Sequence, residues 1–331
     1  MRALRGGSLG LLDQNAAERL VRDAKRAKRS TKSTRTLGNC ITRRSLIRSI
    51  TVTIEIAILV LSAAFLHAGW NVLVKTASDR LLVISAVAFA QTLTGALIIF
   101  FVSAPYMASW PAIGLSTLFH YLYYTFLFQA YRFGDLSQVY PLARGLAPML
   151  VATGAAIFGN EILSLSACIG VAVASVGIAS IAFLQESPLK NNPAALFFTI
   201  GTGTIIAGYT VTDGIGVRLS GSPFGYIAWL FFLEFPVVLF ALYRRRGRMI
   251  SLLQREWKHF AGTGISSVFA YGIVIYAVKF APMAAVSALR ESSVIIATLI
   301  GAFFLGERPW QQRVGAAVIV AVGVSLITGV W

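Results

Sequence analysis

The chain contains few charged residues, few cysteines and few histidines. Of its 331 residues, 13% are charged, whereas soluble proteins have about 25%. So few charges cannot cover a soluble protein of this length with a water-compatible surface. Its two cysteines, Cys40 and Cys168, and its three histidines lack the spacing of a disulfide framework or a metal site. No glycine-rich phosphate loop of the P-loop type is present either, so the sequence predicts no metal, no cofactor and no ATP-driven step in this chain.

Apolar residues make up most of the chain. They make up 56% of the chain, and after residue 50 they recur in runs of about 20 residues, the length that crosses a bilayer as a helix. Ten such runs lie at roughly 52–74, 81–103, 110–131, 136–158, 162–184, 193–214, 222–243, 259–280, 283–305 and 311–330. They predict an all-α polytopic membrane protein with ten transmembrane helices.

Most of the net charge of +16 sits in residues 1–50, which hold 13 basic and 3 acidic residues. This segment has no aromatic interleaving and no recognisable nucleic-acid module, so no nucleic-acid partner is predicted. Contact with anionic lipid headgroups explains the charge more simply. We interpret residues 1–50 as a disordered basic tail outside the fold.

The apolar part of the chain contains an internal repeat. An ungapped shift of 146 positions carries Arg144 to Arg290, Phe158 to Phe304 and Glu161 to Glu307. The repeat predicts two five-helix units, residues 51–186 and 192–331. Because five is odd, the second unit enters the membrane from the opposite side, which is an inverted-topology repeat. We expect the solute site where the two units meet.

Arg144 and Arg290 each lie inside an apolar segment, where a lone guanidinium costs about 3 kcal/mol or more and needs a partner or a wet cavity. Pro141 and Pro148 flank Arg144, so we expect its helix to bend or open there. Adjacent helical residues point about 100° apart and pair poorly. Glu234 on another helix is therefore predicted to pair with Arg290 in preference to the neighbouring Glu291.

Other polar and aromatic side chains are candidates to line the same cavity. His67, Trp70 and Asn71 follow a spacing of i, i+3 and i+4, which places them on one helical face. Hydrogen bonding between helices and aromatic belts at the membrane surface are the structural alternatives for such residues. The further candidates, from several helices, are His120, Tyr124, Tyr140, Tyr209 and Tyr271.

Several motifs resemble EamA-type members of the drug/metabolite transporter superfamily. They are His67-Ala-Gly-Trp-Asn71, Arg132-Phe-Gly-Asp-Leu-Ser137, Tyr140-Pro-Leu-Ala-Arg144-Gly-Leu-Ala-Pro148, Tyr209-Thr-Val-Thr-Asp-Gly214 and Leu289-Arg-Glu-Ser292. The resemblance covers about residues 53–330 and leaves the tail unmatched. It implies ten helices in two inverted five-helix repeats, a central cavity, and movement of small metabolites.

We therefore predict a secondary transporter of the cytoplasmic (inner) membrane, not an enzyme. Its solute would be small and polar or amphipathic, amino-acid-like or an organic anion, and its other partners membrane lipids. Glu234 and Glu291 could neutralise the arginines or take part in proton or ion coupling. The sequence is compatible with a monomer or a homodimer. The alternative from another class is a membrane-embedded enzyme or flippase acting on a lipid-linked substrate.

The orientation signals of the sequence disagree. The basic tail predicts a cytoplasmic N-terminus under the positive-inside rule, and the family resemblance implies that both termini are cytoplasmic. The loops favour the opposite orientation, because those on the far side from the tail carry most of the basic residues. We predict cytoplasmic termini.

Overall fold

The computed structural model describes residues 52–76, 80–134, 136–183, 192–244, 247, 249–297 and 310–328. The basic tail lies outside these residues, so its disorder stays a prediction. Within them the regular structure is helical, apart from short turns. The helices are α1 (Ile54–Thr76), α2 (Arg80–Ile98), α3 (Trp110–Phe133), α4 (Leu136–Phe158), α5 (Leu165–Ile181), α6 (Pro193–Leu219), α7 (Pro223–Phe232), α8 (Phe235–Arg244), α9 (Met249–Val278), α10 (Met283–Arg290) and α11 (Trp310–Thr328), with a 3₁₀ turn at Met107–Ser109 and further helical residues at 292–297.

The described helices have the length and apolarity of membrane spans. Five segments are long enough to cross a bilayer: Ile54–Leu73, Gln138–Phe158, Pro193–Leu219, Pro223–Arg244 and Leu253–Val278. Shorter apolar helices lie at Ser85–Ile98, Leu165–Ile181 and Val314–Thr328. Large apolar side chains point outwards, among them Ile58 and Phe128, while Arg144 and Glu291 are buried. This distribution of apolar and charged side chains is expected of a membrane protein whose outer surface contacts lipid chains.

Small residues let α5 and α11 pack against each other along their length. A Cβ atom on Gly323 would lie 2.6 Å from the backbone nitrogen of Ala174 and 2.7 Å from the carbonyl oxygen of Gly170. A Cβ atom on Gly170 would lie 2.6 Å from the carbonyl oxygen of Gly323. Small residues of this kind let membrane helices approach closely, and α5 and α11 use them against each other.

Helix α4 does not open at its prolines, which corrects the expectation from the sequence. It is helical throughout Leu136–Phe158, with Pro141 and Pro148 inside it. Gly145 allows α5 to approach so closely that an added Cβ atom would lie 2.7 Å from the backbone nitrogen of Ala179. Neighbouring helices packed this tightly support a proline-containing membrane helix.

Among the described residues the helices are interrupted beside two buried carboxylates, Glu234 and Glu291, and α9 is kinked at a third, Glu256. Between α7 and α8 the helix stops at Leu233 and Glu234, where the Tyr121 hydroxyl donates to the Leu233 carbonyl oxygen. The second interruption is at Glu291, between α10 and the helical residues 292–297. The interrupted-helix device expected around Arg144 is therefore present at Glu234 and Glu291.

Candidate functional site

Four side chains from three elements form a buried charged cluster, here called the arginine pole: His67, Arg144, Arg290 and Glu291. Arg144 Nε lies 2.8 Å from Glu291 Oε2 and forms an ion pair with it. The geometry of this donor and acceptor does not meet the requirements of a hydrogen bond. Arg290 donates from Nε and Nη2 to Glu291 Oε1 over 3.2 and 3.1 Å. The residues are 4% (Arg144), 3% (Arg290) and 0% (Glu291) exposed. The structure thus brings both sequence-predicted arginines onto one carboxylate.

The predicted pairing of Arg290 with Glu234 is wrong. Glu291, the neighbour that sequence reasoning rejected, accepts from Arg290. The objection assumed that both residues belong to one regular helix. Helix α10 ends at Arg290, Glu291 lies in the turn that follows, and the flexible arginine side chain folds back over that turn.

His67 connects the arginine pole to α1, and both of its ring nitrogens face hydrogen-bond donors. The Trp70 indole Nε1 donates to Nδ1 over 3.1 Å, and Arg144 Nη2 lies 2.6 Å from Nε2. Indole and guanidinium groups can only donate, whereas a neutral imidazole has one nitrogen that accepts. One of these two donors therefore has no lone pair to bond to on His67.

Two further predicted residues, Tyr140 and Asn71, border the arginine pole. The Arg144 guanidinium carbon lies 5.6 Å from the centre of the Tyr140 ring, a cation–π contact. The buried Tyr140 hydroxyl has no hydrogen-bond partner among the described residues. Asn71 donates from Nδ2 to the His67 carbonyl oxygen over 2.6 Å, within its own helix.

A second buried cluster, here called the acidic pole, contains Asp213, Glu234, His120, Tyr124, Tyr226 and Tyr271. The Asp213 carboxylate accepts from the Tyr226 hydroxyl over 2.9 Å and from the Tyr271 hydroxyl over 2.5 Å. The Tyr124 hydroxyl faces the Glu234 carboxylate. Asp213 and Glu234 are each 2% exposed. The cluster draws its side chains from α3, α6, α7, α9 and the α7–α8 interruption.

Tyr209 stands between the two poles. Its ring stacks on His120 with centroids 4.6 Å apart and makes an edge contact with Tyr271 at 6.1 Å. Tyr123 contacts the same ring edge-on at 6.1 Å. Tyr209 and Tyr123 belong to the same apolar cluster as Ala147, which lies one helical turn after Arg144 in α4. Aromatic rings therefore connect a cationic end of the buried site to an anionic end.

Sequence reasoning missed Asp213, Tyr226 and Tyr123 as site residues. Asp213 had a usable signal, because it follows Tyr209 by four positions and so lies on the same face of α6. Tyr226 carried none, since its position beside Asp213 comes from the packing of α7 against α6.

A separate ion pair joins four helices at one end of the bundle. Arg218 Nη1 lies 2.5 Å from Glu161 Oε1, and the guanidinium donates to the carbonyl oxygens of Val278 (2.7 and 2.9 Å) and Ala281 (2.8 Å). Glu161 Oε2 accepts from the Met283 backbone nitrogen over 2.8 Å. These contacts tie the end of α4 to α6, α9 and the start of α10.

An apolar cavity of about 700 Å³ lies between α2, α7 and α9. Its lining includes Phe89, Leu93, Phe231, Phe260, Phe269 and Tyr276. It holds none of the charged residues of either pole. Phe231, which lines the cavity, stacks on Tyr271 of the acidic pole with ring centres 6.1 Å apart.

Comparison with known proteins gives matches to solved structures and to one family model. Among the described residues no group of three or more metal-ligating side chains occurs. No curated protein matches the sequence. Solved structures do match, including the crystal structure of a protein with 14% sequence identity and a TM-score of 0.64, which covers 83% of this chain and 97% of its own. At that identity the similarity shows the fold alone.

The family comparison adds information about the class of protein that the structural comparison does not give. Residues 193–329 match the EamA-like transporter family, a stretch that includes Tyr209, Glu234, Tyr271, Arg290 and Glu291 of the candidate site. Residues 193–329 are therefore similar to the EamA-like transporter family, which confirms the resemblance drawn from the sequence motifs over that stretch.

Proposed function

We propose that the protein is a secondary transporter that moves a small polar or amphipathic metabolite across the cytoplasmic membrane. In this proposal the chain forms two inverted five-helix repeats, and the solute passes through a central cavity between them. The observation that carries the proposal is the arginine pole, in which two buried arginines from opposite halves share the single carboxylate of Glu291. Membranes penalise such groups, so their presence in both halves calls for a function.

The chemistry of the arginine pole favours a solute with an anionic group. Two arginines against one glutamate leave a net charge of +1 when His67 is neutral. Arg144 also faces a histidine that cannot accept from both of its donors. A solute carboxylate or phosphate would supply acceptors for the forked guanidinium donors. The acidic pole could hold a cationic group of the same solute, so amino-acid-like molecules and organic anions both fit.

Untargeted metabolomics on cells that lack or overproduce the protein tests this function. We expect at least one polar metabolite to change its ratio between cell and medium with the wild-type protein. The change should be lost with Arg144→Lys and kept with Arg255→Lys, a matched variant at a position whose side chain is 74% exposed. A response to Arg144→Lys equal to that of the wild type would contradict the proposed site, and no responding solute at all would contradict transport.

A lipid-linked substrate is the second candidate, because the apolar cavity between α2, α7 and α9 could take an acyl or prenyl chain. Reconstitution with a headgroup-labelled fluorescent lipid separates the two candidates. Faster movement of the label between leaflets with protein than without it would favour a flippase. An unchanged rate would leave the soluble metabolite as the substrate.

A further inference from the structure

Glu234 is a buried carboxylate with incomplete partners. It is 2% exposed, and its Oε2 atom has no hydrogen-bond partner among the described residues. No ion pair joins it to a lysine or arginine in the described part of the chain. An ionised carboxylate in such a place is costly, and binding a proton removes the charge.

The titratable groups that surround Glu234 come from each neighbouring element. Helix α3 contributes His120, Tyr121 and Tyr124. Helix α6 contributes Asp213, whose carboxylate is bonded to Tyr226 of α7 and Tyr271 of α9. Helix α2, which packs against α8, has no titratable residue beyond Arg80, its first. The group facing Glu234 therefore contains one imidazole, one carboxylate and several phenols.

The hydrogen bond of His120 to the Ser116 backbone defines its neutral tautomer. Its Nδ1 lies 2.8 Å from the Ser116 carbonyl oxygen, which can only accept, so Nδ1 carries a hydrogen. In the neutral ring the accepting atom is then Nε2. The His120 ring makes an edge contact with Tyr271, whose hydroxyl donates to Asp213. Nε2 is therefore the atom of His120 that can accept a proton within the acidic pole.

The charges of the two poles balance only when one proton is added. Together the poles contain two arginines and three carboxylates, namely Arg144, Arg290, Asp213, Glu234 and Glu291. With all five ionised and both histidines neutral, the buried site has a net charge of −1. One bound proton brings it to zero. The acidic pole is the place for that proton, because Glu291 already has two arginine partners.

We propose that the acidic pole is the coupling site of the transporter: Glu234 holds a proton in the absence of solute and releases it when a cationic group of the solute enters. The proton leaves the carboxyl oxygen through His120 to water, and the positive group of the solute takes its place beside the carboxylate. No redox partner is involved. The inference rests on the proposed transport function, but proton binding itself can be measured without any solute.

Infrared difference spectroscopy of the purified full-length protein, titrated with pH in detergent micelles, tests proton binding. We expect a band of a protonated carboxyl group at neutral pH that disappears on alkalinisation. Glu234→Gln should abolish it. Glu161→Gln, which removes a glutamate paired with Arg218, should leave it in place. Should Glu234→Gln fold poorly, Tyr124→Phe provides a second variant, because removing the phenol hydroxyl that faces the carboxyl group should shift the frequency of its band.

The outcomes distinguish this inference from the proposed function. A band that persists in Glu234→Gln, or that is absent from the wild-type protein at neutral pH, would overturn the coupling site and leave transport standing. A band that behaves as expected in a protein for which metabolomics finds no solute would support the proton site and count against the proposed transport.

Discussion

At the scale of single residues, the geometry of Arg144 and Arg290 matters more than their charge. Each guanidinium presents several donors in a planar fork, and both forks meet at the carboxylate of Glu291. A lysine keeps the positive charge and loses the fork. We expect Arg144→Lys and Arg290→Lys to insert normally and to lower the transport rate about tenfold or more, a change of about 1.4 kcal/mol in the activation free energy. Uptake or efflux of the identified solute, divided by the amount of inserted protein, measures this.

A purely structural role of the two arginines predicts a different result for the lysine variants. If they only fix the packing of helices, the lysine variants should express poorly, and whatever protein reaches the membrane should transport normally. Arg255→Lys serves as the control for insertion, because that residue is exposed outside both poles. Wild-type rates in both lysine variants would mean that neither arginine binds solute.

At the scale of elements, the contact between α5 and α11 depends on the absence of side chains at its glycines. A methyl group on Gly323 would lie 2.6 Å from the Ala174 nitrogen, a backbone atom that cannot rotate away. We expect Gly323→Ala to lower the stability of the folded protein by about 1–3 kcal/mol, as overpacking does elsewhere. Thermal unfolding in detergent, followed by light scattering or intrinsic fluorescence, would show the change.

Gly315 in the same helix is the matched control for Gly323. A Cβ atom there would meet nothing within 4 Å, and alanine is a better helix former than glycine by about 1 kcal/mol. Gly315→Ala should therefore leave the unfolding temperature unchanged or raise it. Equal losses at both positions would show that the packing of α5 on α11 is not what limits stability.

The ion pair between Arg218 and Glu161 supports a second prediction at this scale. It closes one end of the bundle by tying α4 to α6, α9 and α10. Glu161→Gln keeps an acceptor for the Met283 nitrogen but loses the charge that holds Arg218. The test uses a chain in which Cys40 and Cys168 are replaced by serine and the buried Ala281 by cysteine. We expect this cysteine to react several-fold faster with a membrane-impermeant maleimide when Glu161 is also replaced by glutamine.

The control for this labelling experiment is Glu55→Gln, a change of the same type at an exposed position of α1. It should leave the rate at Ala281→Cys unchanged. Identical labelling with and without the Glu161 carboxylate would show that the ion pair does not restrict access at this end.

At the scale of the whole molecule, the orientation in the membrane can be tested directly. The basic tail and the family resemblance both favour cytoplasmic termini, whereas the loop charges favour the opposite. We expect alkaline phosphatase fused after Trp331 to be inactive, because the enzyme needs the oxidising side of the membrane to form its disulfides. A fusion at Gly247, between α8 and α9, should be active. The reverse pattern would invert the topology.

The amino-acid sequence by itself determined the class of protein and much of its site. Apolar runs long enough to span a bilayer require a membrane protein, and arginines inside such runs require partners, whatever the packing. The motif around Arg290 lies in the stretch that matches the EamA-like family model, and Arg144 and Arg290 lie in one buried cluster. These inferences succeed because they depend on composition and local spacing.

Only the tertiary structure decided which groups meet and where helices break. Arg290 binds Glu291 instead of Glu234, α4 continues through its prolines, and the interruptions fall at Glu234 and Glu291. The spacing of residues in a helix predicts which of them lie on the same face. It does not predict which distant helix packs against that face. The partners of Asp213, brought from α7 and α9, are set by the packing of whole helices. Propensities within a few residues contain no information about such contacts.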